Sequence, residues 1–195
     1  MRRIRTAVLI SGRGSNMEAL VRAAHDPAFP AEIVLVLANN PGAGGLAFAA
    51  AEGIDAVAMD HRPFGKDREA HERLIDAKLR AAGVEMIALA GYMRVLTPFL
   101  VGAWAGRMLN IHPSLLPLYP GLHTHERAIA AGDAFGGCTV HFVTEGVDEG
   151  PIVGQAKVPI LPTDTAEDLA ARVLVEEHRL YPACLAQAAE KLAST

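Results

Sequence analysis

Asn110, His112 and Asp148 are the side chains whose types and spacing best suit proton-transfer chemistry. Asn110 and His112 close the apolar run Leu109-Asn110-Ile111-His112 just before Pro113. In a strand, residues i and i+2 point to the same face, so both side chains would project into one crevice. An amide N–H suits a developing oxyanion, and an imidazole titrates near neutrality and can move protons. A carboxylate beside the ring would favour the imidazolium. Asp148, in Val147-Asp148-Glu149-Gly150-Pro151, is the best candidate for that partner. Taken alone, the Asn-x-His pair also fits a structural histidine held at a strand end.

A second constellation is Ser11-Gly12-Arg13-Gly14-Ser15-Asn16, between a strand pattern and a helix pattern. A helix N-terminus presents free N–H groups and a positive dipole end to an anion. Gly12 and Gly14 let backbone approach closely, and Ser15 and Asn16 add side-chain donors. The third glycine of a dinucleotide fingerprint would fall at Met17, and there is no Gly-Lys-Ser/Thr for a triphosphate, so a single phosphate monoester is the economical ligand. A plain glycine turn is the alternative. His123-x-His125 has no Cys or acidic third ligand at metal-like spacing, so no metal is expected. Ser114 lacks a nucleophile-elbow context and reads as a turn residue. His141 falls on a strand beside these loops, as a core histidine or a ligand contact.

The elements that must position these residues alternate along the chain. Strand patterns at 6–10, 33–38, 55–59, 84–90 and 107–111 are separated by helix patterns at 16–25, 45–51, 66–82 and 98–104. In the third helix pattern Leu74, Ile75 and Leu79 form the apolar side. Strands apolar on both faces and separated by helices imply an α/β fold: a mostly parallel twisted sheet with helices on both faces and a Rossmann-like N-terminal half. The stretch 112–124 carries three prolines and excludes regular structure. Further strands at 139–143 and 152–158 suggest an antiparallel extension in a loop-rich C-terminal half. From Thr165 a capping-box start, Thr165-x-x-Asp168, opens one long helix, with Pro182 as a kink or break. One domain spans 1–195, about 1–105 forming the phosphate-binding half and about 106–195 the catalytic half.

The composition narrows the classes of partner. With 18 Lys+Arg and 22 Asp+Glu the net charge is 18 − 22 = −4, which argues against nucleic acid as the main partner. Apolar content of 51% argues against disorder. Cys138 and Cys184 are too few and too far apart for a disulfide framework and read as reduced thiols. No apolar run reaches the roughly 18 residues of a membrane span, and the basic start lacks a secretory apolar stretch, so the cytoplasm is the expected compartment.

SGRGSN, GYMRVLTPFLV, NIHPSLLPLYPGLHTHERA, TVHFVTEGVDEGPIVGQAKVPI and EEHRLYP together resemble the phosphoribosylglycinamide formyltransferase family, from about Val8 to Tyr181. NIHPSLLP with a downstream D-x-G-P is shared by the wider formyltransferase superfamily, whereas SGxGSN and PGLHTHERA are more specific. The resemblance implies formyl transfer from 10-formyltetrahydrofolate, as co-substrate, to the amine of glycinamide ribonucleotide in purine biosynthesis. It implies that Asn110, His112 and Asp148 are catalytic and that Gly14, Ser15, Asn16 and Glu177 hold the ribonucleotide. Arg68, Met93, Arg94, Val95, Leu96, Asn110 and Thr144 would contact the folate, with 144–148 closing over its ring. Arg13 stands where relatives often have Asn, and Val95 where Ile is frequent.

A 10-formyltetrahydrofolate hydrolase would use much the same trio, usually with an additional N-terminal domain for which the first strand leaves no room. A tRNA formyltransferase would need a basic C-terminal domain. A non-catalytic nucleotide-binding domain of the same fold is the reading from another class, and the intact trio speaks against it. Oligomeric state stays open, a homodimer included, because the last helix could cover the sheet or pair with a second copy.

Overall fold

The computed structural model describes residues 2–195 as a seven-stranded sheet covered by helices on both faces. The strands are β1 (Ile4–Ile10), β2 (Ala31–Ala38), β3 (Asp55–Ala58), β4 (Met86–Leu89), β5 (Met108–His112), β6 (Phe135–Phe142) and β7 (Ile152–Pro159). The helices are α1 (Ser15–Ala24), α2 (Gly45–Ala51), α3 (Arg68–Ala81), α4 (Pro98–Ala103), α5 (Thr124–Ala130) and α6 (Ala166–Ala193). Strand order is β3-β2-β1-β4-β5-β6-β7. The first five strands run parallel, and the β5–β6 and β6–β7 pairs are antiparallel.

The strands read as unbroken apolar runs because each face is buried under helices. On one face, Met17 and Leu20 of α1, Ala49 of α2 and Tyr181 and Leu185 of α6 pack against Val8, Val36 and Ala88. On the other, Ile75 and Leu79 of α3 with Leu100 and Trp104 around α4 cover Leu9, Leu37 and Ile87. Each large apolar side chain fully buried this way stabilises the fold by roughly 1.5–3 kcal/mol. Leu109 and Ile111 of β5 join the first layer and Met108 the second. By strand alternation, Asn110 and His112 therefore share the Met108 face.

Order of the sheet also fixes where a ligand can sit. The chain winds outward from β1 to β2 and β3, then crosses back to β4 on the other side of β1. The loops leaving the C-terminal ends of β1 and β4 diverge there and open a crevice, the usual ligand position in such sheets.

Several expectations need correction. Leu74 is 50% exposed, and the buried face of α3 is His71, Glu72, Ile75 and Leu79. Two polar residues are taken inward because each finds a partner: His71 Nε2 meets the Met59 carbonyl, and Glu72 accepts from Thr97. Pro182 neither ends nor breaks α6, which continues through it as one helix of 28 residues. Its flanks, Tyr181 and Cys184–Leu185, are buried against the sheet, and this packing outweighs the missing N–H. β6 begins at Phe135, earlier than the pattern indicates, because Gly136 and Gly137 lower its apolar periodicity. α5 follows the proline-rich stretch and is legible in neither the strand nor the helix period.

Candidate active site

The first wall of the crevice is the loop after β1. Ser11–Asn16 with Ala90, Gly91 and Met93 line an open cleft of about 310 Å³. Gly14 stands at φ 74, a left-handed conformation that glycine adopts without a Cβ penalty, and serves as the N-cap of α1 with no side-chain cap bond. The first N–H groups of α1 are thus left for an anion. The Asn16 amide donates to Glu177 Oε2 at 2.7 Å, while Asn16 Oδ1 is buried without a hydrogen-bond partner. Glu177 reaches this wall because Tyr181, one turn later on the same face of α6, is anchored beneath the sheet. The Tyr181 hydroxyl donates to the Leu89 and Leu109 carbonyls at 2.8 and 3.2 Å. Burial pushes the Glu177 carboxyl above its usual range, opposed by the Asn16 bond.

The opposite wall is the segment after β4. The Met93 N–H donates to Ser11 Oγ at 2.8 Å, which ties the two walls together. Arg68 of α3 donates to the Val95 carbonyl at 3.1 Å. One turn on, Glu72 accepts from the Thr97 N–H at 2.9 Å and from its hydroxyl. Met93 and Val95 are 71% and 56% exposed, and Arg94 and Leu96 are half-buried. Thr144 is exposed on the loop after β6.

The third group forms where β5 ends. Antiparallel pairing sets Asn110 opposite His141 and His112 opposite Thr139. Asp148 arrives on the β6–β7 connection, at φ 55. Its carboxylate lies 3.3 Å from His112 Nδ1 and 3.6 Å from His141 Nε2, so it sits between two imidazoles. The Gly121 N–H also donates to it at 2.9 Å. Burial pushes the Asp148 carboxyl up, but the nearby His141 ring, the Gly121 N–H and the His112 ring outweigh it, holding the carboxyl below its usual range. His112 Nε2 meets the Tyr119 carbonyl at 2.8 Å. Two oxygen atoms thus face the two ring nitrogens of His112. Asn110 Nδ2 lies 3.3 Å from His141 Nε2, and His141 Nδ1 lies 3.0 Å from the Phe142 carbonyl.

The proline-rich stretch that carries His112 into this cluster has its backbone groups satisfied by side chains. Thr139 Oγ1 donates to the Ser114 carbonyl and accepts from the Leu116 N–H, and Gln155 donates to the Leu116 carbonyl. Ser114 donates to the Leu118 carbonyl at 2.6 Å, the turn role its context indicates. Asn110, His112 and Asp148 are therefore brought together, and Glu177 joins the Ser11–Asn16 loop through Asn16. His123 is exposed beside Glu126, and among the described residues no group of three or more His, Cys, Asp or Glu side chains is gathered for a metal ion.

His141, left open in the sequence between a core histidine and a ligand contact, is set beside Asp148 by the β5–β6 register. One contributor escapes sequence reasoning. Gly45 opens α2 against the Ser11–Asn16 loop: its N–H donates to the Gly12 carbonyl at 3.2 Å, and a Cβ there would lie 2.9 Å from the Arg13 carbonyl and 2.5 Å from Ile10. The glycine-rich run Gly42–Gly45 is the available signal.

The formyl transferase family matches residues 4–185. A phosphoribosylglycinamide formyltransferase from Haemophilus influenzae is 46% identical over 176 residues, covering 90% of this chain and 82% of the relative. A trifunctional purine biosynthetic protein, adenosine-3, from Drosophila melanogaster is 50% identical over 187 residues; the match covers 95% of this chain and spans 14% of that relative's length. The crystal structure of the Brucella melitensis phosphoribosylglycinamide formyltransferase superposes with a TM-score of 0.92 at 56% identity, covering 96% of each chain. By family match, sequence identity and superposition, the chain belongs to the formyl transferase family, among its phosphoribosylglycinamide formyltransferases.

Proposed function

We propose that this chain transfers the formyl group of 10-formyltetrahydrofolate to the primary amine of glycinamide ribonucleotide, a step of purine biosynthesis. The observation that carries the reading is the Asn110–His112–Asp148 cluster at the end of β5, with Asp148 3.3 Å from the His112 ring and Asn110 on the same strand face.

The two halves divide the work. Residues of about 1–105 supply the α1 N-terminus, where Gly14, Ser15 and Asn16 hold the ribonucleotide phosphate, and the Met93–Leu96 segment with Arg68, which receives the folate ring. Residues of about 106–195 supply the trio, Thr144 on the loop over the ring, and Glu177 on the glycinamide side. The amine nitrogen forms a bond to the formyl carbon, and negative charge develops on the formyl oxygen. The Asn110 amide donates to that oxygen. His112, whose ring nitrogens lie beside Asp148 and the Tyr119 carbonyl, acts on it through the charge of its imidazolium. As the bond from carbon to folate N10 breaks, one proton leaves the attacking nitrogen and one reaches N10. Asp148 and His141 stand where they can relay it.

The proposed partners are these two small molecules, without nucleic acid or membrane, and the compartment is the cytoplasm. No helix among the described residues is long and apolar enough to cross a membrane. Every residue named comes from one chain, so a homodimer is neither required nor opposed. An absorbance assay for the folate product, run with and without glycinamide ribonucleotide, tests the function. Turnover that needs the ribonucleotide is expected. Equal turnover without it would identify a hydrolase, and none under either condition a binding domain.

A further inference from the structure

His112 and Asp148 each receive one backbone group from the same short loop. The Tyr119 carbonyl meets His112 Nε2 at 2.8 Å, and the Gly121 N–H donates to Asp148 Oδ2 at 2.9 Å. A loop two residues apart at these points therefore sets both members of the pair. Tyr119 stands at φ 53, a left-handed conformation that a non-glycine residue keeps only where its surroundings impose it.

Those surroundings lie outside the crevice. The Tyr119 hydroxyl donates to Asp133 Oδ2 at 2.6 Å. The Arg127 guanidinium lies over the Tyr119 ring, 5.1 Å from its centroid. Arg127 Nη1 also donates to the Pro120 and Leu122 carbonyls at 2.7 and 3.1 Å. Arg127 belongs to α5 and Asp133 follows it, so one short helix and its exit grip the loop from the solvent side.

We propose that Tyr119, Arg127 and Asp133 are positioning residues for formyl transfer, holding the loop whose backbone orients His112 and Asp148. The inference rests on the role proposed above for that pair. None of the three touches a reacting atom through its side chain. They act through the geometry of one carbonyl and one N–H, and a displacement of these by a fraction of an ångström changes how firmly the His112–Asp148 pair holds its proton. The other titratable groups facing the pair are His141 on β6, 3.6 Å from Asp148 Oδ1, and His125 on α5, whose ring feels the His112 charge. Neither is bonded to the side chains varied below.

The test compares Tyr119→Phe, Arg127→Ala, Asp133→Ala and Asp133→Asn with His112→Ala, measuring kcat, both KM values, the pH–rate profile and Tm. Tyr119→Phe, Arg127→Ala and Asp133→Ala are expected to lower kcat about 10-fold, the scale of small misplacements, and to shift the pH–rate profile. KM values should stay within about 2-fold, since substrate binding is untouched. Asp133→Asn keeps an oxygen that accepts from Tyr119 and should recover most of kcat. Variants that lose Tm yet keep the wild-type kcat and pH profile would reduce the clamp to a stabilising role and overturn the inference. If His112→Ala itself turns over normally, the pair is misassigned and the inference falls with it. If His112→Ala is inactive while the clamp variants match wild type, only the inference fails.

Discussion

Asp148 concentrates the electrostatics of the site. Placed between the His112 and His141 rings, it favours positive charge where the proposed mechanism sets the formyl oxygen, and Asn110 would add a neutral donor. Asn110→Ala and His112→Ala should each lower kcat by about 10²-fold or more, the scale of an oxyanion donor or an acid–base group. Steady-state turnover within a few-fold of wild type in either variant would remove its assignment. Glu177 presents the opposite case, a buried carboxyl pushed upward. The folded protein then binds this proton more tightly than the unfolded chain. Its stabilising contribution is complete below the unfolded carboxyl range and is lost as pH rises through the folded value. Glu177→Gln keeps an acceptor for the Asn16 amide without the charge. Thermal melts of the variant should run above wild type at about pH 8 and converge with it near pH 4, while KM for the ribonucleotide rises. A Tm difference independent of pH would refute the buried-charge account.

At the scale of elements, α2 matters to a loop it does not belong to. Gly45→Ala would press a methyl into the Arg13 carbonyl and Ile10, moving the Ser11–Asn16 loop where the phosphate is proposed to bind. The expected result is an increase of about 10-fold in ribonucleotide KM with the folate KM unchanged, the pattern of lost binding rather than lost catalysis. A wild-type KM in the folded variant would show that the loop yields without consequence. α6 is held at its start by the capping box that Thr165-x-x-Asp168 signals: Thr165 Oγ1 accepts from the Asp168 N–H, and Asp168 accepts from the Thr165 N–H. Thr165→Ala should cost about 1 kcal/mol, or about 2–4 °C of Tm in a chain of this size, with both KM values unchanged. A loss of ribonucleotide affinity in this variant would mean that the helix start and Glu177 are coupled along α6.

At the scale of the whole molecule, reversal of strand order between β2-β1 and β1-β4 makes the proposed phosphate site compatible with a net charge of −4. An anion bound there would meet one helix terminus in a local cleft and need no basic surface. Ribonucleotide at about 100 times its Kd should add about 2.7 kcal/mol to stability, visible as a rise in Tm of about 5–10 °C. A melt unchanged by saturating ribonucleotide would place the phosphate elsewhere. Much of this architecture is legible locally. Buried parallel strands show as apolar runs, the Ser11–Asn16 turn shows its glycines, and Asn110 and His112 share a face because strand periodicity is two. Leu74 misleads and α5 goes unseen for physical reasons: burial of Glu72 and His71 depends on partners distant in sequence, and a short helix after prolines has too few turns to display a period. The sequence by itself therefore determined the layered α/β class, the glycine turn of Ser11–Asn16 and the shared strand face of Asn110 and His112. The tertiary structure alone decided that His141 lies beside Asp148, that Glu177 meets Asn16 across 161 residues, and that a loop gripped from α5 bonds both His112 and Asp148. Those contacts come from antiparallel register and helix docking, which depend on packing between distant segments and leave no local periodic trace.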